Sequence, residues 1–407
     1  MDTMIGVHRR VLRLGAAVLT VGLVAAGCGN SNEKLSHGQV ESTTTTTISK
    51  APDSTASQLR ARLNGLLEEN VYLTVAATGA AAAGRTDEVA GVVAALGGNS
   101  QALTDNVTAV FDAPTGKTFD GLWRKHVDSL VSYGQTHGGQ AAADLTQFTK
   151  DFGAFVNSAL PSLSADTVTG MMATQVQTLE AVADAQAGGN QSAAYTSVRT
   201  AAAQTVTMTS SLIGAIHQKY PDKIGGNPAS KAADMVTTLS VDLRESAFLT
   251  CAAAGALVGG RNDEFTAAKS AVDNNTAALS DVLAGIYGPD AGKDFGPLWT
   301  KRTGYIDDYA TAVAAKQQSS ADTALNNLLQ FSSDFGTFVN KNSPKLSAET
   351  AGGLAMTHVF TVKDVIDALA AKDFTKAYAN ERTAADHMST VASTLAPLVV
   401  VQFPDKY

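Results

Sequence analysis

The feature of this 407-residue chain that most constrains its fold is an internal duplication. The stretch "ENVYLT" at Glu69 returns as "ESAFLT" 176 residues later (69 to 245). The stretch "DFGAFVN" at Asp151 returns as "DFGTFVN" 183 residues later (151 to 334). The offset grows by seven between Tyr133 and Asp151. Because loops accept insertions more readily than helices do, this change predicts a helix boundary there.

Each copy is predicted to be helical. Gly84 and Gly260 stand where a first helix should end, and Ser164 and Ser347 stand where a fifth helix should begin. Apolar residues make up 44% of the chain and aromatic residues only 6%, which favours closely packed helices over a β-sandwich. The best strand candidate, "APLVVVQF" at Ala396, lies where the other copy has a helical pattern. The sequence therefore predicts an all-α protein of two tandem antiparallel bundles, with about six helices in each.

These patterns set the predicted boundaries along the chain. We predict an N-terminal targeting segment at residues 1–27, a flexible Ser/Thr-rich tether at 28–54, the first repeat at 55–224, a linker at 225–233 and the second repeat at 234–407. The Thr43–Thr47 run in the tether is a weak candidate for O-glycosylation. Because each copy has its own caps, Trp and closing Pro-Asp-Lys, we predict that each repeat folds alone.

The N-terminus has the pattern of a targeting signal. Three arginines precede an uncharged apolar stretch, residues 14–26, that is too short to span a bilayer comfortably. The Ala25-Ala26-Gly27-Cys28 run that follows resembles the lipobox of bacterial lipoproteins, although Leu is commoner at the position of Ala25. The resemblance implies cleavage before Cys28, acylation of that residue, and attachment to the extracytoplasmic face of the cell membrane. An ordinary secretory signal and a short uncleaved anchor are the alternatives.

Charge and cysteine content limit the partners. The net charge of −8 argues against nucleic acid as a ligand and against electrostatic adhesion to anionic lipid, so the acyl chains would supply the membrane contact. The second cysteine, Cys251, lies in a helical apolar run and is predicted to be a small buried hydrophobic residue.

Four polar positions in each copy fall on apolar helix faces, each on a different helix. They are Asn70, His126, Gln175 and Gln204 in the first copy, and Ser246, Arg302, His358 and His387 in the second. Inward residues from facing helices are how bundles build metal and cofactor sites. We expect these side chains to be hydrogen-bonded core residues, and the alternative is a site for copper, zinc or haem with His358 and His387 as the candidate ligands.

Several motifs resemble a helical module found, often in tandem, in bacterial surface and secreted proteins and often labelled copper-amine-oxidase-like. They are "LLEEN" at Leu66, "LWRKH" at Leu122, "THVF" at Thr357, "ADHM" at Ala385 and "QFPDKY" at Gln402. The resemblance covers nearly all of residues 58–407 and implies a helical fold without implying a reaction. The module's four histidines are incomplete in both copies, since only His126 remains in the first and only His358 and His387 in the second.

No catalytic pattern is present in the sequence. The Asn-Tyr precursor motif of true amine oxidases is missing, as are a Gly-rich phosphate loop, Gly-x-Ser-x-Gly and His-Glu-x-x-His. We therefore expect a non-enzymatic, membrane-anchored binding or structural protein of the cell envelope with no required cofactor. The alternative is a metal- or haem-binding protein that uses the inward histidines of the second bundle.

Overall fold

The protein is entirely helical over the residues that its structure, a computed structural model, describes, namely 54–407. The first repeat contains α1 (Thr55–Ala82), α2 (Thr86–Val110), α3 (Ala113–Thr136), α4 (Gly139–Ala159), α5 (Ala165–Ala187) and α6 (Gln191–Lys219). The second contains α7 (Lys231–Val258), α8 (Asn262–Tyr287), α9 (Pro289–Ala314), α10 (Gln318–Asn342), α11 (Ala348–Ala370) and α12 (Phe374–Gln402). The predicted all-α class with six helices per repeat is confirmed, and the strand candidate at Ala396 lies inside α12. The signal sequence, Cys28 and the tether up to residue 53 lie outside the described residues.

The predicted helix ends are also confirmed. Ser164 and Ser347 cap α5 and α11, where each side-chain oxygen accepts a hydrogen bond of 3.1 Å from the backbone N–H three residues later. Gly84 and Gly260 follow α1 and α7 with φ of +66° each, a conformation that glycine adopts without strain.

The seven extra residues of the second repeat lengthen two helices rather than one loop. In the first repeat α3 ends at Thr136 and α4 begins at Gly139, within the predicted interval. In the second repeat α9 continues to Ala314 and α10 begins at Gln318. The turn grows by one residue, and the remaining residues extend α9 and α10 at the end where they meet.

The two repeats pack on each other through an approximate two-fold relation. The first helices of the repeats, α1 and α7, contact each other and are buried along most of their length. The last helix of each repeat contacts the second helix of the other, so that α12 packs on α2 and α6 packs on α8. Tyr72 of α1 stacks on its equivalent Phe248 of α7, with ring centroids 4.8 Å apart.

The hydrophobic core is continuous between the repeats. One cluster of buried side chains contains Val71, Leu179 and Val198 from the first repeat together with Leu243, Phe248 and Val365 from the second. Apolar surface buried between the repeats would be exposed to water if they were separated. This packing argues against the expectation that each repeat folds alone, although the sequence-based domain boundaries stay a prediction.

By length and composition α12 could cross a membrane. It packs against α7, α11 and α2, however, and its buried residues include Ala384, Met388 and Val399. Core helices of folded bundles have the same apolar character, so this helix is explained by its packing.

Candidate functional site

Three of the four inward positions in the second repeat lie together. Arg302 donates a hydrogen bond from Nη2 to Nε2 of His358, and both side chains are almost completely buried. The His358 ring stacks on that of His387 with centroids 6.4 Å apart. Ser246, the fourth position, is linked to this group through Trp299. The Trp299 indole donates a hydrogen bond of 3.1 Å to Ser246, and the guanidinium of Arg302 lies over the Trp299 ring.

This arrangement leaves little for a metal ion to bind. Nε2 of His358 receives the guanidinium of Arg302, and Nε2 of His387 lies 2.9 Å from the carbonyl oxygen of Leu354 and therefore carries the proton. Burial, with the neighbouring Arg302 and His387, holds the pKa of His358 well below its usual range. Among the described residues no three His, Cys, Asp or Glu side chains are grouped to hold a metal. Nε2 of each histidine is thus hydrogen-bonded, while Nδ1 of the buried His358 has no partner among the described residues, and the metal-site alternative stays a prediction.

The inward positions of the first repeat are buried or half-buried but are not grouped in the same way. Asn70 donates to Asn99 over 3.2 Å, and Gln204 donates to Thr178 over 3.0 Å. His126 stacks on Phe148 with centroids 4.1 Å apart, and burial lowers its pKa to about 3, so the ring is neutral. Gln175 is also buried, with no partner for its side-chain oxygen among the described residues.

The polar residues that the two copies share join the repeats to each other. Glu69 of α1 accepts a hydrogen bond of 2.6 Å from Arg382 of α12. Its equivalent Glu245 of α7 accepts bonds of 2.9 and 3.1 Å from Arg199 of α6. Each glutamate is also bound by the second helix of its own repeat, through Asn99 over 3.0 Å and Asn275 over 2.7 Å. In both copies of the Arg-Thr-Ala-Ala frame, the arginine therefore binds a glutamate of the other repeat.

One further ion pair lies where the equivalent positions meet. Arg244 of α7 is the counterpart of Glu68 of α1, and the Nε and Oε2 atoms of these buried residues are 3.5 Å apart. Arg244 also donates to Asp386 over 2.7 Å and to the carbonyl oxygen of Gly65 over 2.9 Å. Burial raises the pKa of Glu68 well above its usual range, with Arg244 as the main opposing influence.

A cleft of about 1190 Å³ lies between the repeats, and we call it the inter-repeat cleft. It is lined by both repeats through equivalent residues, among them the pairs Tyr72 and Phe248, Glu88 and Glu264, and Tyr195 and Tyr378. Its lining runs from buried residues such as Phe248 to exposed residues such as Asp87 and Asp263, so the cleft reaches solvent. Its volume is sufficient for a small organic ligand.

Paired charges surround the entrance to the cleft. Arg85 and Arg261 are the residues before α2 and α8, and each binds the glutamate three residues later, Glu88 or Glu264, over 2.7 and 2.6 Å. Tyr378 of the second repeat donates to Glu88 of the first over 2.9 Å. These contacts hold the two glutamates and Tyr378 in place, and each arginine is paired with a carboxylate of the protein.

A second cavity, of about 620 Å³, is lined by Arg244, Arg382 and Asp386. Arg244 and Arg382 are paired with carboxylates, as described above. The inter-repeat cleft differs because one of its buried carboxyl groups, that of Glu381, is paired with no described residue. It is therefore the stronger candidate for a binding site.

Helical periodicity does not predict this site. The periodicity shows which residues face the interior of one bundle, whereas the cleft lies between the two repeats. The sequence does contain a signal for it. Glu69, Asn99 and Arg199 are polar residues that recur unchanged at the equivalent positions of the second copy, whereas the inward positions used to search for a site all differ between the copies. These three identical polar residues, with their counterparts, form the hydrogen bonds between and within the repeats at the contact surface.

Comparisons with protein-family models, with curated proteins and with solved structures gave no significant match to this chain.

Proposed function

We propose that this chain is a lipid-anchored protein of the extracytoplasmic face of the cell envelope that binds a small molecule in the inter-repeat cleft without transforming it. The observation that carries the proposal is that both repeats line one cleft from equivalent positions, one of which is the buried carboxyl group of Glu381 where the first repeat has Val198. Apolar and aromatic side chains such as Phe248 line the cleft together with charged ones such as Glu88 and Lys372, so it can contact both a carbon skeleton and a polar group of a ligand.

The anchor is inferred from the N-terminal sequence. The run ending at Cys28 resembles a lipobox, and the polar segment from 29 to 53 would separate the folded repeats from the bilayer. Two acyl chains on one residue supply enough apolar surface for stable attachment, which a single chain does not.

A binding role rather than a catalytic one is supported by the lining of the cleft. Among the described residues, no histidine or serine lines it, and its one cysteine, Cys251, is not hydrogen-bonded to a base. Burial raises the pKa of the Cys251 thiol well above the usual range, so the reactive thiolate is disfavoured.

One measurement on protein purified from its own envelope tests both parts of the proposal. In native mass spectrometry we expect the wild-type chain to carry acyl mass at Cys28 and, in addition, a dissociable small molecule. The variant Cys28→Ser should lose the acyl mass, leave the membrane fraction and keep the small molecule. Ala252→Trp, which places an indole in the cleft, should keep the acyl mass and lose the small molecule.

Each variant is therefore the control for the other. Acyl mass that persists in Cys28→Ser would contradict the anchor. A wild-type protein without a bound molecule, or a molecule retained in full by Ala252→Trp, would contradict the cleft as the binding site.

A further inference from the structure

Glu381 breaks the symmetry of the inter-repeat cleft. It opens the stretch "ERTAADHM" on α12, and the equivalent residue in "VRTAAAQT" on α6 is Val198. Both side chains are buried and both line the cleft. The two repeats thus place an apolar group on one side and a carboxyl group on the other.

The Glu381 carboxyl group has no hydrogen-bond or ion-pair partner in the part of the chain that the structure describes. The residue is 8% exposed, and it forms no hydrogen bond or ion pair with any described residue. Its neighbour Arg382 is bound to Glu69, and the arginines at the entrance are bound to Glu88 and Glu264. A buried carboxylate without a counter-charge is costly, so the carboxyl group keeps its proton in the empty cleft, and a ligand that supplied a cation would stabilise the ionised form.

The surroundings of Glu381 make the inner cleft favourable for positive charge. The ionisable groups that interact with it are Glu69 on α1, Glu88 on α2, Tyr195 on α6, Cys251 on α7 and Tyr378 on α12. None of these groups is a cation. Burial first, and then Glu69 and Glu88, raise the pKa of Glu381 to about 8.

The remaining lining of the cleft favours an organic cation over a metal ion. Metal ions need several oxygen or nitrogen ligands at fixed distances, and among the described residues Glu381 belongs to no group of three His, Cys, Asp or Glu side chains that could hold one. The stacked rings of Tyr72 and Phe248, with Phe374 and Val198, instead offer apolar and aromatic surface to a carbon skeleton.

We propose that the inter-repeat cleft binds a small organic molecule through a protonated amine, and that Glu381 is the carboxylate that pairs with this amine. The inference rests on the proposed function and narrows it to one class of ligand. Binding moves one proton, because the neutral carboxyl group of the empty cleft must lose its proton before it can pair with the ammonium group.

Calorimetry with defined probes tests the inference on the full chain in mild detergent. The probes are phenethylammonium and cyclohexylmethylammonium, and the controls are the alcohols of the same skeleton, 2-phenylethanol and cyclohexylmethanol. We expect the amines to bind more tightly than the alcohols, by a factor on the order of ten or more at pH 7. Titrations in buffers of different ionisation enthalpy should show release of about 0.9 of a proton per amine bound at pH 7, as follows from a carboxyl pKa near 8.

Two variants of Glu381 and one control complete the test. Glu381→Val copies the residue of the first repeat, and Glu381→Gln keeps the shape of the side chain, so that at least one should fold. Both should lose the preference for amines and the proton release. Asp281→Asn removes an exposed carboxylate of α8 that does not line the cleft and should keep both, which separates a specific pair from a general effect of net charge.

The outcomes distinguish this inference from the proposed function. Amines and alcohols that bind equally, and lose binding together in Ala252→Trp, would overturn the role of Glu381 and leave the cleft as the binding site. An amine preference that survives in both Glu381 variants, or amines that do not bind at all, would overturn the inference. Mass spectrometry of the envelope-purified protein would still decide whether the cleft holds a ligand.

Discussion

Replacement of Arg244 by Met is expected to lower the free energy of unfolding by about 3 to 5 kcal/mol, which is typical when one partner of a buried ion pair is removed. Arg244 is 2% exposed, and its guanidinium lies between Glu68, Glu69 and Asp386. Without it, the carboxyl groups of Glu68 and Glu69 remain buried with one cation fewer, and the exposed Asp386 loses its partner. Urea denaturation followed by circular dichroism measures the change.

Two further variants show whether the loss comes from the ion pair. In the double variant Glu68→Leu with Arg244→Met, an apolar pair replaces the charged one, and most of the lost stability should return. Arg62→Met removes an exposed arginine from the same surface of α1 and should change stability by less than about 0.5 kcal/mol. A loss of the same size in Arg62→Met, or a double variant no more stable than the single one, would contradict the interpretation.

Replacement of Glu381 by Gln is expected to change how stability depends on pH. The pKa of this carboxyl group is raised from its ordinary 4.5 to about 8 in the folded chain. Between these values the folded state keeps a proton that the unfolded state has released, so the stabilising effect of this group is complete below pH 4.5. It is lost as the pH rises toward 8. The loss amounts to about 4 to 5 kcal/mol over the window.

The variant Glu381→Gln lacks the carboxyl group, so its free energy of unfolding should not fall by this amount as the pH rises. The free energies of unfolding of wild type and Glu381→Gln, measured at matched pH values, should therefore diverge steadily in favour of the variant from pH 4.5 to 8. Other buried carboxyl groups, such as Glu68, titrate in both proteins and cancel in the difference. A difference that stays constant across this range would show that Glu381 has an ordinary pKa and is not buried as described.

The fold could be predicted because its determinants are local and appear twice. The caps at Ser164 and Ser347 and the turns at Gly84 and Gly260 act within a few residues, and each copy supported the assignment of the other. Helical spacing also placed His126, Arg302 and His358 correctly in the interior. Periodicity reports which face of a helix is buried, and that information was sufficient for these positions.

The candidate site could not be predicted in the same way, because it depends on how the repeats face each other. Whether Arg382 binds Glu69 of the other repeat or a residue of its own depends on the packing of α12 on α2. That packing needs the close approach allowed by Gly91, where an added Cβ would lie 2.6 Å from Phe374. Neither contact has a periodic signature. Helical spacing predicted that His358 is buried, but it could not predict that Arg302 donates a hydrogen bond to Nε2 of His358.

The most direct test of the central claim, that the two repeats build one core and one cleft between them, is to express residues 54–224 and 225–407 as separate chains. Circular dichroism on heating, with size-exclusion chromatography, should find that neither fragment alone melts cooperatively as a monomer. An equimolar mixture should form a complex with the cooperative transition of the full chain. The reason is that separation exposes α1 and α7 and leaves Glu69 and Glu245 without the arginines of the other repeat. Two monomeric fragments that each melt cooperatively at the temperature of the full chain, and do not associate, would contradict the account.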